Sequence, residues 1–335
     1  MSIKKAATMK DVAKEAGVAL GTVSKVINGI PVSEKNRIKV EQAIESLHYK
    51  VNTYARGLKL QQSNLVALII PNLSNPFFAV FANHIEAALY KRNLKLLLCC
   101  AEGIPEKEIE YLHMAVNNKV DGIIALTYSD IGEHLTQSLP IVVFDRFFEK
   151  QNIPRVASDN FAGACLAIKK LLSLGCKHPV YIRFHSPFPG ESDKRKEGYL
   201  YACSKYHIEP DYIDMLDCDE RLLVMKEFLD RHKNPDGTLS FDGAFVHTDY
   251  HGYQFCHLLL DEGYRVPEDV QIIGFDGIYK FGNVQDGLFI SSICQPVEEL
   301  AEKCVELLLA SRTETVPSLT LLPVQYCYGG TTKEE

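Results

Sequence analysis

The chain has 335 residues, 46% of them apolar, and a formal net charge of −7. That length exceeds the usual single core and predicts more than one domain, in a composition ordinary for a soluble globular chain. No run of about 18 apolar residues occurs, which argues against a helical membrane span, and the opening MSIKKAATMKDVAKEAG lacks the apolar core of a secretory signal, so a cytoplasmic protein is expected. Ten cysteines, none spaced CxxC and most set in apolar runs such as LLLCC, predict buried reduced thiols. His247, Asp249 and His251 alternate in a loop after a strand and make a poor metal trio, so neither a metal nor a cofactor is expected.

The most informative stretch runs from Thr8 to Gly29, TMKDVAKEAGVALGTVSKVING. Thr8 can cap a first helix, with Asp11 three positions on returning the bond as a capping box. Val12, Ala13 and Ala16 share one face, and Gly17 supplies the turn that ends the helix. In the second helix Val23, Val26 and Ile27 face inward. Leu20, Gly21, Thr22, Ser24 and Lys25 remain outside or at its start. This spacing predicts a helix-turn-helix, whose second helix enters the DNA major groove.

Charge supports that reading. Residues 1–60 hold eleven Lys and Arg against five Asp and Glu, a net of +6, so the remainder carries −13. A basic head on an acidic body fits a polyanion contact made by the head alone. A third helix follows Ser33, a candidate cap, with Val40, Ala43, Ile44 and Leu47 forming one apolar stripe. The segment YKVNTYARGLKLQQSN is polar and basic. A helix over Asn52–Lys59 would have about two turns, below the roughly 12–15 residues an isolated helix needs, and Gly57 weakens it by roughly another 1 kcal/mol. Such a hinge should become helical only against a partner surface.

From Leu65 onward, apolar strands alternate with helices. Strands are predicted at 65–71, 94–100, 122–126, 141–144, 156–158, 180–184, 212–216, 243–247 and 270–275. Helices are predicted at 77–92, 105–118, 162–174, 194–206, 221–231 and 250–262. Buried strands separated by helices imply parallel sheets covered on both faces, here in two doubly wound lobes with ligand at the carboxyl ends of their strands. Helix 250–262 carries more apolar residues than one buried face requires, which points to a two-fold interface shared with the helix after Pro76.

The stretches DVAKEAGVALGTVSKVING, YKVNTYARGL, LIIPNLSNPFF, KVDGIIAL, IVVFDR, SDNFAGACLAIKKLLSLG, RKEGY, GYRVPEDVQIIGFDG and TTK, in this order and spacing, resemble the lactose-repressor (LacI) family of transcription regulators over essentially the whole chain. The resemblance implies an all-α helix-turn-helix head (1–50), a hinge (51–63) and an α/β core (64–335) of periplasmic sugar-binding-protein type. It also implies a homodimer, with a tetramer left open, on a palindromic operator. The core's subdomains are expected at 64–159 plus 293–318 and at 160–292 plus 319–335, with crossovers near Asp159, Ser292 and Leu319.

Carried onto this chain, the resemblance gives Leu20, Gly21 and Lys25 as base-reading positions, and Thr8, Thr22, Ser24 and Asn28 as DNA contacts beside them. Hinge contacts fall on Asn52, Tyr54, Ala55, Arg56, Leu58 and Lys59, with Leu58 as the minor-groove wedge. Three residues depart from the family pattern. Ala19 replaces a capping Ser or Thr, Lys25 stands where Arg is common, and Val51 replaces a proline.

For an effector, the resemblance points to strand ends: Asn75, Phe77, Asp145, Arg146, Arg195, Thr248, Asp249 and Asp276. Paired carboxylates with a guanidinium suit vicinal hydroxyls, and Phe77 offers a flat face to a sugar ring. The chain has no Trp, which removes one usual stacking platform. A nucleobase acting as co-repressor is the alternative effector. Arg183 and His185, unusual in an apolar strand, would suit an anionic ligand, but a surface or interface placement is expected first. An exported sugar-binding protein would lack the basic head. An α/β enzyme would need a catalytic motif, and GxSxG, GxxxxGK, HExxH and a GxGxxG after a strand are all missing.

Overall fold

The computed structural model describes residues 7–49, 63–134, 139–146, 148, 153–278 and 289–334. The chain divides into two units, Met1–Ser63 and Asn64–Glu335. In the first, α1 (Met9–Ala16), α2 (Leu20–Ile27) and α3 (Glu34–Ser46) form a three-helix head. Thr8 and Asp11 make the reciprocal capping box, and Gly17 closes α1 in the left-handed conformation at φ 62°. Val12, Ala13, Ala16, Val23, Val40 and Ala43 are the small core, with Val26, Ile27, Ile44 and Leu47 packed around it. Ser33 occupies the N-cap position of α3, but its hydroxyl makes no capping bond. The hinge positions Asn52–Lys59 lie outside the described residues.

The second unit contains two six-stranded sheets. The first lobe is built from β1 (Leu65–Ile70), α4 (Pro76–Tyr90), β2 (Lys95–Cys100), α5 (Pro105–Asn117), β3 (Gly122–Ala125), β4 (Ile141–Phe144) and β5 (Arg155–Ser158). Val66, Leu68 and Ile70 of β1 face one apolar cluster while Ala67 and Ile69 face another. This two-residue alternation is what buries a sheet on both sides. The second lobe contains α6 (Asn160–Ser173), β6 (Pro179–His185), α7 (Lys194–Tyr206), β7 (Tyr212–Leu216), α8 (Arg221–Arg231), β8 (Gly243–Val246), α9 (Asp249–Asp261) and β9 (Gln271–Asp276). Helices α6 and α7 pack closely because Gly198 lies against α6: a Cβ there would meet Phe161 O at 2.5 Å.

The last fifty residues carry four elements beyond the predicted ones: β10 (Ser291–Cys294), α10 (Val297–Ala310), β11 (Leu319–Leu322) and β12 (Gln325–Cys327). Their pairing shifts two of the expected crossovers. Ser292 lies within β10, which pairs with β9 in the second sheet, and Leu319 begins β11, which pairs with β5 in the first. The chain therefore changes lobe after Asp159, after Cys294 and between Leu322 and Gln325. The sheets are parallel with one exception: β12 runs antiparallel to β10. All ten cysteines are free thiols.

Candidate functional site

In the head, Leu20, Gly21, Lys25 and Asn28 are exposed and Thr22 and Ser24 are half-buried, while Val23 is held in the core. Helix α2 thus turns one polar and basic edge outward. Ala19 at its N-cap makes no side-chain bond. Asn28 instead closes the far end, its Nδ2 donating to Ser24 O at 2.7 Å. Arg37 of α3 is not available as a phosphate contact without cost, because Glu34 and Glu41 both pair with it.

In the core, one cavity of about 420 Å³ lies between the lobes at the carboxyl ends of the strands. Asn75, Phe77, Asp145, Arg146, Arg195, Thr248 and Asp276 all line it. Asn75 and Thr248 also cap helices: Asn75 Oδ1 accepts from Phe77 N at 3.0 Å, and Thr248 Oγ1 from His251 N at 3.2 Å. Neither Asp145 nor Asp276 is the N-cap of a helix among the described residues. Both adopt a positive φ, 56° and 131°, a costly conformation for non-glycine residues that is found where surrounding structure enforces it.

Arg195 is buried and fixed on several sides. Its Nε donates to Asn160 Oδ1 at 2.7 Å, its Nη1 donates to His247 O at 2.5 Å, and the guanidinium sits 3.6 Å over the Phe275 ring. Asn160 Nδ2 in turn donates to Asp145 Oδ1 at 3.3 Å. Asp276 Oδ1 accepts from Gln295 Nε2 at 2.7 Å. Burial raises the pKa of Asp145 against the opposing pull of Arg146 and Arg195. Burial, partly offset by Arg195 and reinforced by Asp249, lifts Asp276 well above the usual carboxyl range. The aromatic side of the cavity is Phe77, nearly parallel to Phe144 at 5.9 Å.

Asp249 does not line the cavity, a correction to the expected site. Its carboxylate turns into the second lobe, where Oδ1 accepts from Ser292 Oγ at 2.6 Å and Oδ2 accepts from the backbone N–H groups of Gly277 and Ile278. Burial pushes it up to about 6. Arg183 is likewise not on the surface. It is buried in an ion-pair cluster with Asp193 and Asp214, joined by Lys196. His185, its neighbour, does line the cavity. The cavity also holds residues outside the expected effector set: Tyr128, Asp193, Asp217, Arg221, His251 and Gln295. Several come from loops after strands, a position that was a usable signal; Gln295 came from a segment without a readable pattern. His247 is a structural group, its Nδ1 2.8 Å from Tyr181 OH.

The two lobes also meet at one lip of the cavity. Arg146 pairs with Gly190 in an antiparallel bridge, Glu191 N donates to Asp145 O at 3.1 Å, and Arg146 Nη1 donates to Phe188 O at 3.0 Å.

Residues 8–52 match the family model of bacterial regulatory proteins, lacI family, and residues 168–332 match a periplasmic binding protein-like domain. The sucrose operon repressor of Streptococcus mutans is 32% identical over 324 residues, covering 95% of this chain and 97% of that protein. The chain belongs to the LacI family. The ribose operon repressor of Bacillus subtilis is 31% identical over 98% of this chain and 99% of its own length. Among solved structures, a LacI-family regulator from Enterococcus faecium with bound ribose matches at 28% identity and a TM-score of 0.67, over 80% of this chain and 98% of that one. The lac repressor dimer bound to operator matches in fold, with a TM-score of 0.83 over 98% of this chain and 99% of that one at 23% identity. As a LacI-family protein this chain is a DNA-binding transcription regulator, not an enzyme. Among the described residues no helix is long and apolar enough to cross a membrane, and no group of His, Cys, Asp and Glu could hold a metal ion.

Proposed function

We propose that this regulator is a sugar-responsive repressor acting in the cytoplasm, binding a palindromic operator as a homodimer and changing its operator affinity when a sugar enters the inter-lobe cavity. The observation that carries the reading is the convergence of Asp145, Asp276 and Arg195 on one cavity walled by Phe77. Two carboxyl groups accept from hydroxyls, a guanidinium donates, and an aromatic face covers the apolar side of a ring. Relatives named for sucrose and ribose operons, and a ribose complex in the family, support the same class. Leu20, Gly21 and Lys25 read base edges in this proposal, with Thr8, Thr22, Ser24 and Asn28 beside them. Asn52, Tyr54, Ala55, Arg56, Leu58 and Lys59 supply the hinge contacts.

The dimer is proposed on α4 and α9. Of the apolar residues of α9, Phe255, Cys256 and Leu259 fill the second lobe's own core, whereas Tyr253 and Leu260 remain exposed. The experiment is a thermal-shift screen of the full-length protein against sugars and nucleobases, followed by operator binding with and without each hit. A sugar hit that changes operator affinity supports the reading. A nucleobase hit in place of a sugar overturns the effector class. Light scattering that gives a monomer with and without operator overturns the dimer.

A further inference from the structure

We propose that the cavity contains a second ring subsite, formed by Asp217, Arg221 and His251, so that the effector is a disaccharide rather than a single sugar. The inference rests on the sugar reading and extends it along the sheet edge. The second sheet is ordered β9, β8, β6, β7 across its interior and free edge. Asp276 ends β9, His247 follows β8, His185 ends β6 and Asp217 follows β7, and all four line the cavity. Neighbouring strands lie about 4.8 Å apart, so this row spans roughly 14 Å, longer than one six-membered ring with its hydroxyls. Of the first cluster, Asp276 ends β9 and Arg195 bonds to His247 O beside β8, at the opposite end of the row from Asp217.

The β7 end carries its own recognition groups. Arg221 Nη1 donates to Asp217 Oδ1 at 3.0 Å, which sets a carboxylate and a guanidinium side by side. His251 is 6% exposed, and its Nδ1 has no hydrogen-bond partner among the described residues, while its Nε2 stands 4.0 Å from Asp217 Oδ1. Nδ1 is sealed from the cavity, so Nε2, on the Asp217 side, is the ring nitrogen left to meet a ligand hydroxyl. Phe184 meets the His251 ring edge-on at 5.4 Å, giving the subsite an apolar wall. From the first lobe, Tyr128 also lines the cavity.

The charge balance separates a neutral ring from a phosphate. Asp217 and Arg221 cancel, burial holds His251 neutral with a pKa near 4, and Glu102 on the cavity wall is paired with Lys107. A dianion would meet no net positive charge there, whereas hydroxyls are met by both acceptors and donors.

The test is calorimetry on the full-length protein with glucose, fructose and galactose, with sucrose, maltose, cellobiose, lactose and trehalose, and with glucose 6-phosphate and fructose 6-phosphate. At least one disaccharide should bind about tenfold or more tightly than its component monosaccharides. That ratio should collapse in Asp217→Asn, an isosteric change, and in Arg221→Ala, each checked for an unchanged ligand-free melting temperature. A monosaccharide that binds as tightly as every disaccharide, with both variants leaving the ratio untouched, overturns the second subsite and leaves the sugar reading intact. Sugar phosphates that bind best, and lose affinity in Arg221→Ala, overturn the neutral ring. Binding by no sugar in the panel removes the sugar reading and this inference with it.

Discussion

Gln295 joins Asp276 to the crossover between the lobes: its Nε2 donates to Asp276 Oδ1 at 2.7 Å, while its Oε1 accepts from Ser158 Oγ at 2.8 Å. Ser158 ends β5 just before the first crossover, and Gln295 follows β10 at the second. A residue that lines the cavity is therefore linked through Gln295 to two of the three segments that connect the lobes. A ligand shifts such an equilibrium only through its different affinity for the two lobe arrangements.

Gln295→Leu should break this link while keeping the side chain's approximate volume. The variant is expected to bind the effector in calorimetry, yet the ratio of operator affinities with and without effector should fall toward one. Family-independent couplings are about 1–3 kcal/mol, so a response of roughly 5–150-fold is at stake. Asp276→Ala should abolish the response by a different route, through loss of effector binding itself. A Gln295→Leu protein with a full response would remove the crossover from the switching path.

Asp249 and His251 impose opposite pH dependences on stability. The folded pKa of Asp249 is raised from 3.8 to about 6, so the stability associated with its neutral form is complete below pH 3.8 and is lost as pH rises through about 6. The folded pKa of His251 is lowered from 6.5 to about 4, so stability is full above 6.5 and is lost as pH falls toward 4. In the wild type the two slopes oppose each other over nearly the same window. Asp249→Asn can keep the bonds to Gly277, Ile278 and Ser292 while removing the carboxyl titration. Its stability relative to wild type should rise between about pH 4 and 6, by an amount on the order of 3 kcal/mol. Denaturant melts across that range check the sign.

The alternating strands and helices up to Phe275 were readable because most of the strands are short apolar runs, such as LVALII of β1 and GAFV of β8, separated by segments of helical period. After Ile278 that signal fails for β10, although α10 keeps a regular apolar stripe through Val297, Leu300, Ala301, Cys304 and Val305. β10 is Ser291–Cys294, with two serines buried against Thr331, Thr332 and Asp249 by hydrogen bonds rather than by apolar packing. No hydrophobic period marks such a strand. Asp249 was misplaced for a related reason: as the residue after the Thr248 cap it sits at a strand end like the cavity residues, and only the fold shows that its carboxylate turns toward Ser292. Arg183 looked like a surface residue because its acidic partners, Asp193 and Asp214, are 10 and 31 positions away.

Gly190 is required by the approach of the lobes rather than by its own backbone, since its φ of −149° is open to any residue. A Cβ there would meet Asp145 O at 2.6 Å and Arg146 Nη1 at 2.5 Å. Gly190→Ala should therefore separate the lip formed by Arg146, Phe188 and Glu191. Because Asp145 and Arg146 line the cavity, effector affinity should fall by about tenfold or more, with little change in the stability of either sheet. Unchanged affinity, measured by calorimetry, would show that the lip is not part of the closed site.

Helix α2 has eight residues and no side-chain cap at Ala19, while α1, also eight residues, has both halves of a capping box. The helix that presents Leu20, Gly21 and Lys25 is thus the less secured of the pair. Its first turn relies on backbone bonds such as Thr22 N to Ala19 O at 2.8 Å. Ala19→Ser places an acceptor where the N–H groups of Gly21 and Thr22 emerge, and a cap of this kind is worth about 1 kcal/mol. Amide exchange in the first turn of α2 should slow about fivefold in Ala19→Ser, the rate equivalent of that energy if opening is local. Thr8→Ala should have the reverse effect on α1, where Thr8 and Asp11 satisfy each other. The two variants together separate a cap effect from a general change in the head: Ala19→Ser acts on the start of α2, Thr8→Ala on the start of α1. If Ala19→Ser leaves exchange at Gly21 and Thr22 unchanged, the missing cap does not limit the order of the reading helix, and its backbone bonds alone are sufficient.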